Sequence, residues 1–81
     1  MDIQSFIGNF ATLFEETDMS ILTPQTRYQD LEEWSSLLTI STIMLVDQQY
    51  DVAIKADQIR DANTIEELYN IVKEKVIQSE N

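Results

Sequence analysis

Ser35 and Ser36 are neighbouring hydroxyls at the edge of an apolar stretch, and they are the residues with the most chemistry to offer. A serine hydroxyl is a nucleophile only beside a base, and this 81-residue chain contains no His and no Cys. That removes imidazole general bases, thiol nucleophiles and Cys/His zinc sites. One Gly cannot build a phosphate-cradling loop or a dinucleotide fingerprint. Glu15, Glu16 and Asp18 form one carboxylate cluster, and Asp30, Glu32 and Glu33 another. Neither has the spacing or the glycine of an EF-hand, so they read as solvated acidic surface. What a serine can do without a base is receive a group. At a helix start, the unpaired N–H groups and the positive end of the dipole favour an added phosphate ester.

The elements that must present these serines follow from apolar spacing. Ile3, Phe6, Ile7, Phe10, Leu13 and Phe14 fall on one helical face. Asp2 is its N-cap, and the face closes at Glu15 to Asp18. Residues 17–35 lose the period, which predicts a loop of about 18 residues, long for a compact domain. Its Ile21, Leu22, Tyr28, Leu31 and Trp34 are expected to pack down on the core. Ser36 to Tyr50 reads as the second helix, with Asp51 just past its end. Asp57 to Asp61 predicts a single short turn of helix. Thr64 and Glu67 form a capping box, opening a helix whose stripe is Ile65, Leu68, Tyr69, Val72 and Val76. No strand-like alternation competes. The expected fold is an all-α, four-helix bundle spanning residues 1–81 as one domain, with three main helices, one short helix and a long first loop.

The second helix has two apolar sides. At about 100° per residue from Leu37, Thr39, Ile43, Val46 and Tyr50 cluster near roughly 180–240°. Leu37, Ile40 and Met44 lie on the opposite side. So small a bundle cannot surround one of its own helices, so one side is expected to remain open as a binding surface. The alternative is that the long loop covers it. Charge agrees with the open reading. Residues 1–35 hold seven acids and one base, and residues 36–81 hold eight acids and four bases, yet Asp47 is the one charge between 36 and 50.

The formal charge of −10 argues against nucleic acid and anionic lipid as partners. No apolar run reaches the roughly 18 residues of a membrane span, and no signal-peptide pattern opens the chain. The expectation is a cytoplasmic monomer without membrane insertion.

The run Leu31-Glu32-Glu33-Trp34-Ser35-Ser36-Leu37 resembles the attachment motif of acyl carrier proteins and the related peptidyl carrier domains, usually Asp-Ser-Leu, often with Trp or Gly before it. Thr23-Pro24-Gln25-Thr26-Arg27-Tyr28-Gln29-Asp30-Leu31 is similar to the family's loop before the motif. Tyr50-Asp51-Val52-Ala53-Ile54 is similar to its segment after the second helix, and Asp57 to Ile71 to its third and fourth helices. The resemblance implies an acyl carrier fold and a non-enzymatic carrier function. Ser36 would receive a 4′-phosphopantetheine arm from coenzyme A through a phosphotransferase of the phosphopantetheinyl type. Leu37 directly after it selects Ser36 over Ser35. Trp34, Leu37, Ile40, Met44 and Asp47 would face partner enzymes, namely a ketosynthase, an acyltransferase, or an acyl or aminoacyl ligase. Ile43, Val46, Ile54, Ile59 and Ile71 would line an interior able to shelter cargo.

Two departures from the family pattern stand out. Ser35 replaces the usual Asp. The second helix also keeps Asp47 but has Ser41, Gln48 and Gln49 at positions often acidic. Docking would therefore lean on apolar contact and suit a dedicated lipid or polyketide-type pathway. An aminoacyl or peptidyl carrier, and a helical adaptor that is never modified, are the alternative readings.

The net charge yields a first prediction. Self-repulsion opposes the compact state, so the melting temperature should rise from about 0.01 M to about 1 M NaCl as the Debye length shrinks from about 30 Å to about 3 Å. Calorimetry showing no rise would contradict this.

Overall fold

The computed structural model describes residues 2–79. Among them the regular structure is helical: α1 (Ile3–Ala11), α2 (Ser36–Tyr50), α3 (Ala56–Asp61) and α4 (Ile65–Ser79), with 3₁₀ turns at Met19–Ile21 and Tyr28–Asp30. α1 packs on α2 and α4, and α3 closes against α2 and α4.

α1 begins where the spacing places it. The Asp2 carboxylate accepts from the Ser5 N–H at 3.1 Å and the Ser5 hydroxyl at 3.0 Å. Those bonds to Ser5 hold the Asp2 pKa below its ordinary value. The helix ends earlier than the apolar face does. After Ala11 the chain tightens into i→i+3 bonds, Leu13 N–H to the Phe10 carbonyl and Phe14 N–H to the Ala11 carbonyl, both 3.1 Å. The tighter turn still brings Phe14 into the core, so the side-chain pattern runs past the helix proper.

α2 stops at Asp51, which takes the left-handed conformation (φ 57°, ψ 37°) and returns its N–H to the Asp47 carbonyl. Glycine or Asn is the commoner choice there. α3 starts one residue before the expected Asp57, because the Gln58 side chain accepts the Lys55 N–H at 2.9 Å. At α4, the Glu67 N–H donates to the Thr64 hydroxyl oxygen at 3.2 Å, one half of the expected box. The Glu67 carboxylate meets the Thr64 hydroxyl at 3.4 Å, where a full box has it accept the Thr64 N–H. Two further N–H groups of the first turn are met from outside the helix: Ile65 donates to the Thr26 carbonyl at 3.1 Å and Glu66 to the Pro24 carbonyl at 2.9 Å.

The long loop is thus part of the fold. Leu22 and Tyr28 are buried, and Leu31 and Trp34 pack on the core. Ile21 departs from expectation and stays exposed beside Met19. A three-residue 3₁₀ turn capped by the Asp18 carboxylate at the Ser20 N–H turns Leu22 inward and Ile21 out. All seven aromatic residues join one contiguous cluster. Phe10 sits at its centre, 5.2 Å from Phe14, 5.6 Å from Tyr28 and 6.1 Å from Phe6, ring centre to ring centre. Tyr50 and Tyr69 close on Phe6. Offset and edge contacts of this kind add about 0.5–1.5 kcal/mol per pair beyond the area they bury.

Tyr28 is the bolt between loop and bundle. Its hydroxyl donates to the Ile59 carbonyl at 2.6 Å and also reaches the Ala62 carbonyl at 3.1 Å. Gln29 donates to the carbonyls of Ile59, Arg60 and Ala62. These acceptors are the carbonyls that the end of α3 leaves without intrahelical partners. Burial, and secondarily the Glu67 charge, push the Tyr28 phenol above its ordinary pKa of 10.0. Tyr28→Phe keeps the ring and removes the donor. It should cost about 1–2 kcal/mol of stability, read from urea unfolding at an unchanged m-value. Unaltered stability would show that the Gln29 amide satisfies those carbonyls alone.

Candidate functional site

The approach to the serines is pinned on two sides. Glu33 turns outward, and its carboxylate accepts the N–H groups of Glu15 (2.6 Å), Glu16 (3.1 Å) and Thr17 (3.0 Å) and the Thr17 hydroxyl (2.9 Å). Trp34 turns inward, with ring centres 5.0 Å from Tyr28 and 6.3 Å from both Phe10 and Phe14. Glu33 sits in a hydrogen-bonded turn, in which the Trp34 N–H donates to the Leu31 carbonyl at 3.0 Å, and Ser35 beyond it is extended (φ −156°, ψ 174°). The two residues before the serines are thereby committed, one to each side of the segment.

Ser35 and Ser36 are both exposed. Ser35 holds the N-cap position, but its hydroxyl makes no capping bond. Its carbonyl accepts the Thr39 N–H at 3.1 Å, the first bond of α2. Ser36 is the first residue of the helix, and no hydrogen bond engages its hydroxyl among the described residues. Trp34, the residue able to wall it in, packs partly buried against the core cluster and leaves Ser36 exposed. The first turn of α2 has no acidic residue and no side-chain cap, so its leading N–H groups remain available to an anion.

The two sides of α2 separate as their angular positions require. Leu38, Thr39, Thr42 and Val46 are buried, and Ile43 and Tyr50 pack on the core edge. Leu37 is 70 % exposed, and Ile40 and Met44 are each 55 % exposed. The loop does not cover this stripe, which begins at the residue after Ser36. Asp47 is exposed one turn beyond Met44. Thr42 is a buried residue that the apolar spacing overlooks. It is fully buried because its hydroxyl donates to the Leu38 carbonyl at 2.7 Å, satisfying it within the helix. Its angular position beside Val46 is the signal that locates it. Of the aliphatic residues expected to line the interior, Val46, Ile54 and Ile59 are buried, while Ile43 and Ile71 are partly buried.

A surface concavity of about 400 Å³ opens beside the serines, between the start of α2 and α3, with Trp34, Ser35, Ser36, Ile40, Ala56 and Arg60 in its lining. Among the described residues no group of three or more carboxylates is placed to hold a metal ion, and no helix is long and apolar enough to cross a membrane. Against family models, curated proteins and solved structures, the chain has no match.

The Glu33 contacts have a pH consequence. Partial burial works to raise the pKa of this carboxylate, but its bonds from Glu15, Thr17 and Glu16 outweigh that and hold it below the ordinary 4.5. A lowered folded-state pKa stabilises the fold above the unfolded value, and the contribution disappears as pH falls through the folded value. Glu33→Gln should therefore melt below wild type at neutral pH, with the gap narrowing as pH falls from about 4.5 downward. A gap that is independent of pH would show that the charge on Glu33 is not what holds the 15–17 turn.

Proposed function

We propose that this chain is a carrier domain of the acyl carrier type, with Ser36 as the attachment residue for a 4′-phosphopantetheine arm. The observation that carries the reading is the Ser36 hydroxyl: exposed, without a hydrogen bond among the described residues, at the first position of α2 and immediately followed by an uncovered apolar stripe. Order of elements supports it too, with a long packed loop leading into α2 and a short α3 before α4.

The residues fit such a group. Ser36 Oγ can leave its proton with a transferase and bond to the phosphorus of the pantetheine phosphate of coenzyme A, as the bond to the adenosine bisphosphate breaks. The uncapped N–H groups of the first turn of α2 suit the anionic ester that results. When attached, the arm supplies a terminal thiol that carries an acyl group as a thioester, chemistry a chain without Cys cannot otherwise perform. The chain's own work is to hold that ester at a fixed point and to present Leu37, Ile40 and Met44, with Trp34 behind them, to enzymes that load, extend or unload the cargo. Those enzymes are expected to be a ketosynthase, an acyltransferase or a ligase. Asp47 is the acid that α2 itself offers, so docking is proposed to rest on apolar burial more than on acid-to-base pairing. Ser35 in the place of Asp removes one carboxylate from the surface the transferase meets.

Incubation with coenzyme A and a phosphopantetheinyl transferase should add one arm to wild type and to Ser35→Ala, and none to Ser36→Ala, by intact mass. Loss of the gain in Ser35→Ala alone would move the attachment to Ser35. No gain in wild type with several transferases would overturn the carrier reading.

The exposed stripe by itself favours a second reading, an unmodified helical adaptor. There, Met44→Glu would abolish complex formation while Ser36→Ala left it intact.

A further inference from the structure

The concavity beside Ser36 has a charge character opposite to that of the chain. Fifteen acids outnumber five bases overall, yet the lining of this hollow contains no carboxylate and one cation, Arg60. Arg60 makes no ion pair among the described residues, whereas Arg27 is paired with Asp30 at 3.0 Å. The backbone carrying Arg60 is fixed relative to the attachment segment, because the Gln29 amide donates to the Arg60 carbonyl at 3.0 Å. Gln29 stands in the 3₁₀ turn (Tyr28–Asp30) that leads to Ser35. Trp34 and Ile40 supply an apolar wall.

We infer that this hollow is the resting seat of the proximal arm, with the Arg60 guanidinium as the cationic partner of the phosphodiester on Ser36. This rests on the carrier reading above. A guanidinium presents a planar fork of N–H donors that matches phosphate oxygens. Its attraction for a tethered anion needs no loss of overall translational freedom, since the arm is already held at Ser36. For a free anion the same cation is weak bait, because the surrounding protein is strongly negative. Arg60 also stands in the last turn of α3, where a cation favours the helix dipole. That purely structural role would act equally with and without the arm.

The test is nuclear magnetic resonance of the intact chain before and after loading. On loading, the Arg60 Nε–Hε cross-peak should shift while that of Arg27 stays in place. The shift should collapse in about 1 M NaCl, where screening is strong. In loaded Arg60→Gln the ³¹P resonance should move away from its wild-type position, and Arg60→Lys should restore it in part. Loading should raise the melting temperature of wild type more than that of Arg60→Gln. Inorganic phosphate added to the unloaded chain should leave the Arg60 cross-peak unmoved; a shift there would assign the hollow to a free anion instead. A chain that loads but whose Arg60 cross-peak and ³¹P resonance ignore the arm overturns this inference and leaves the carrier reading standing. A chain that never loads overturns both.

Discussion

The inward anchoring of Tyr28 and Trp34 is the constraint from which the rest follows. Tyr28 is fully buried, and its hydroxyl closes on the carbonyls at the end of α3. Trp34 lies with its ring centre 5.0 Å from Tyr28 in an edge contact and meets Phe10 and Phe14 at a tilt in the same cluster. A loop of this length has a large conformational entropy to lose. Two aromatic anchors, together with the Thr26 and Pro24 carbonyls capping α4, offset that loss. Without them the start of α2 would hang on a loose tether. With them, Ser35 and Ser36 are held at a fixed point on the surface.

The same anchoring explains why α2 is open on one side. The loop packs Leu22, Tyr28, Leu31 and Trp34 into or against the core cluster. Met19 and Ile21, the loop's other large apolar residues, are themselves exposed, and Leu37, Ile40 and Met44 stay uncovered. A stripe of that composition at the surface is costly in water unless something covers it during function. The near absence of charge from α2 sharpens the point. In a chain that is otherwise strongly acidic, this helix avoids the repulsion that would keep a partner away.

Much of this was legible in the residues. Apolar spacing together with cap signals at Asp57 and at Thr64 and Glu67 located the four helices, and the angular bookkeeping on α2 separated Thr39, Ile43, Val46 and Tyr50 from Leu37, Ile40 and Met44. The errors sit where local hydrogen bonds override spacing. α1 ends at Ala11 because the chain tightens into i→i+3 bonds while its apolar face continues. α3 starts early through the Gln58 side chain. Ile21 faces solvent because a capped 3₁₀ turn chooses Leu22 instead. Thr42 hides in the core by bonding its own helix. The Glu33 clamp on residues 15–17 could not be foreseen, since it joins groups 16 to 18 positions apart. Nor could the hollow at Arg60, which exists only once α3 is laid beside α2. The attachment role proposed for Ser36 rests on the resemblance of the Trp34-Ser35-Ser36-Leu37 run, not on periodicity. A hydroxyl that is exposed and unbonded among the described residues is what that role requires.

The central claim is that Ser36 is a tether. The most direct measurement is peptide-level mass spectrometry on the protein isolated from its native cell, with fragmentation that localises any adduct. The account predicts a phosphopantetheine ester on Ser36, with the residual mass beyond the arm identifying the cargo. An unmodified Ser36 in every fraction of the native protein would contradict it.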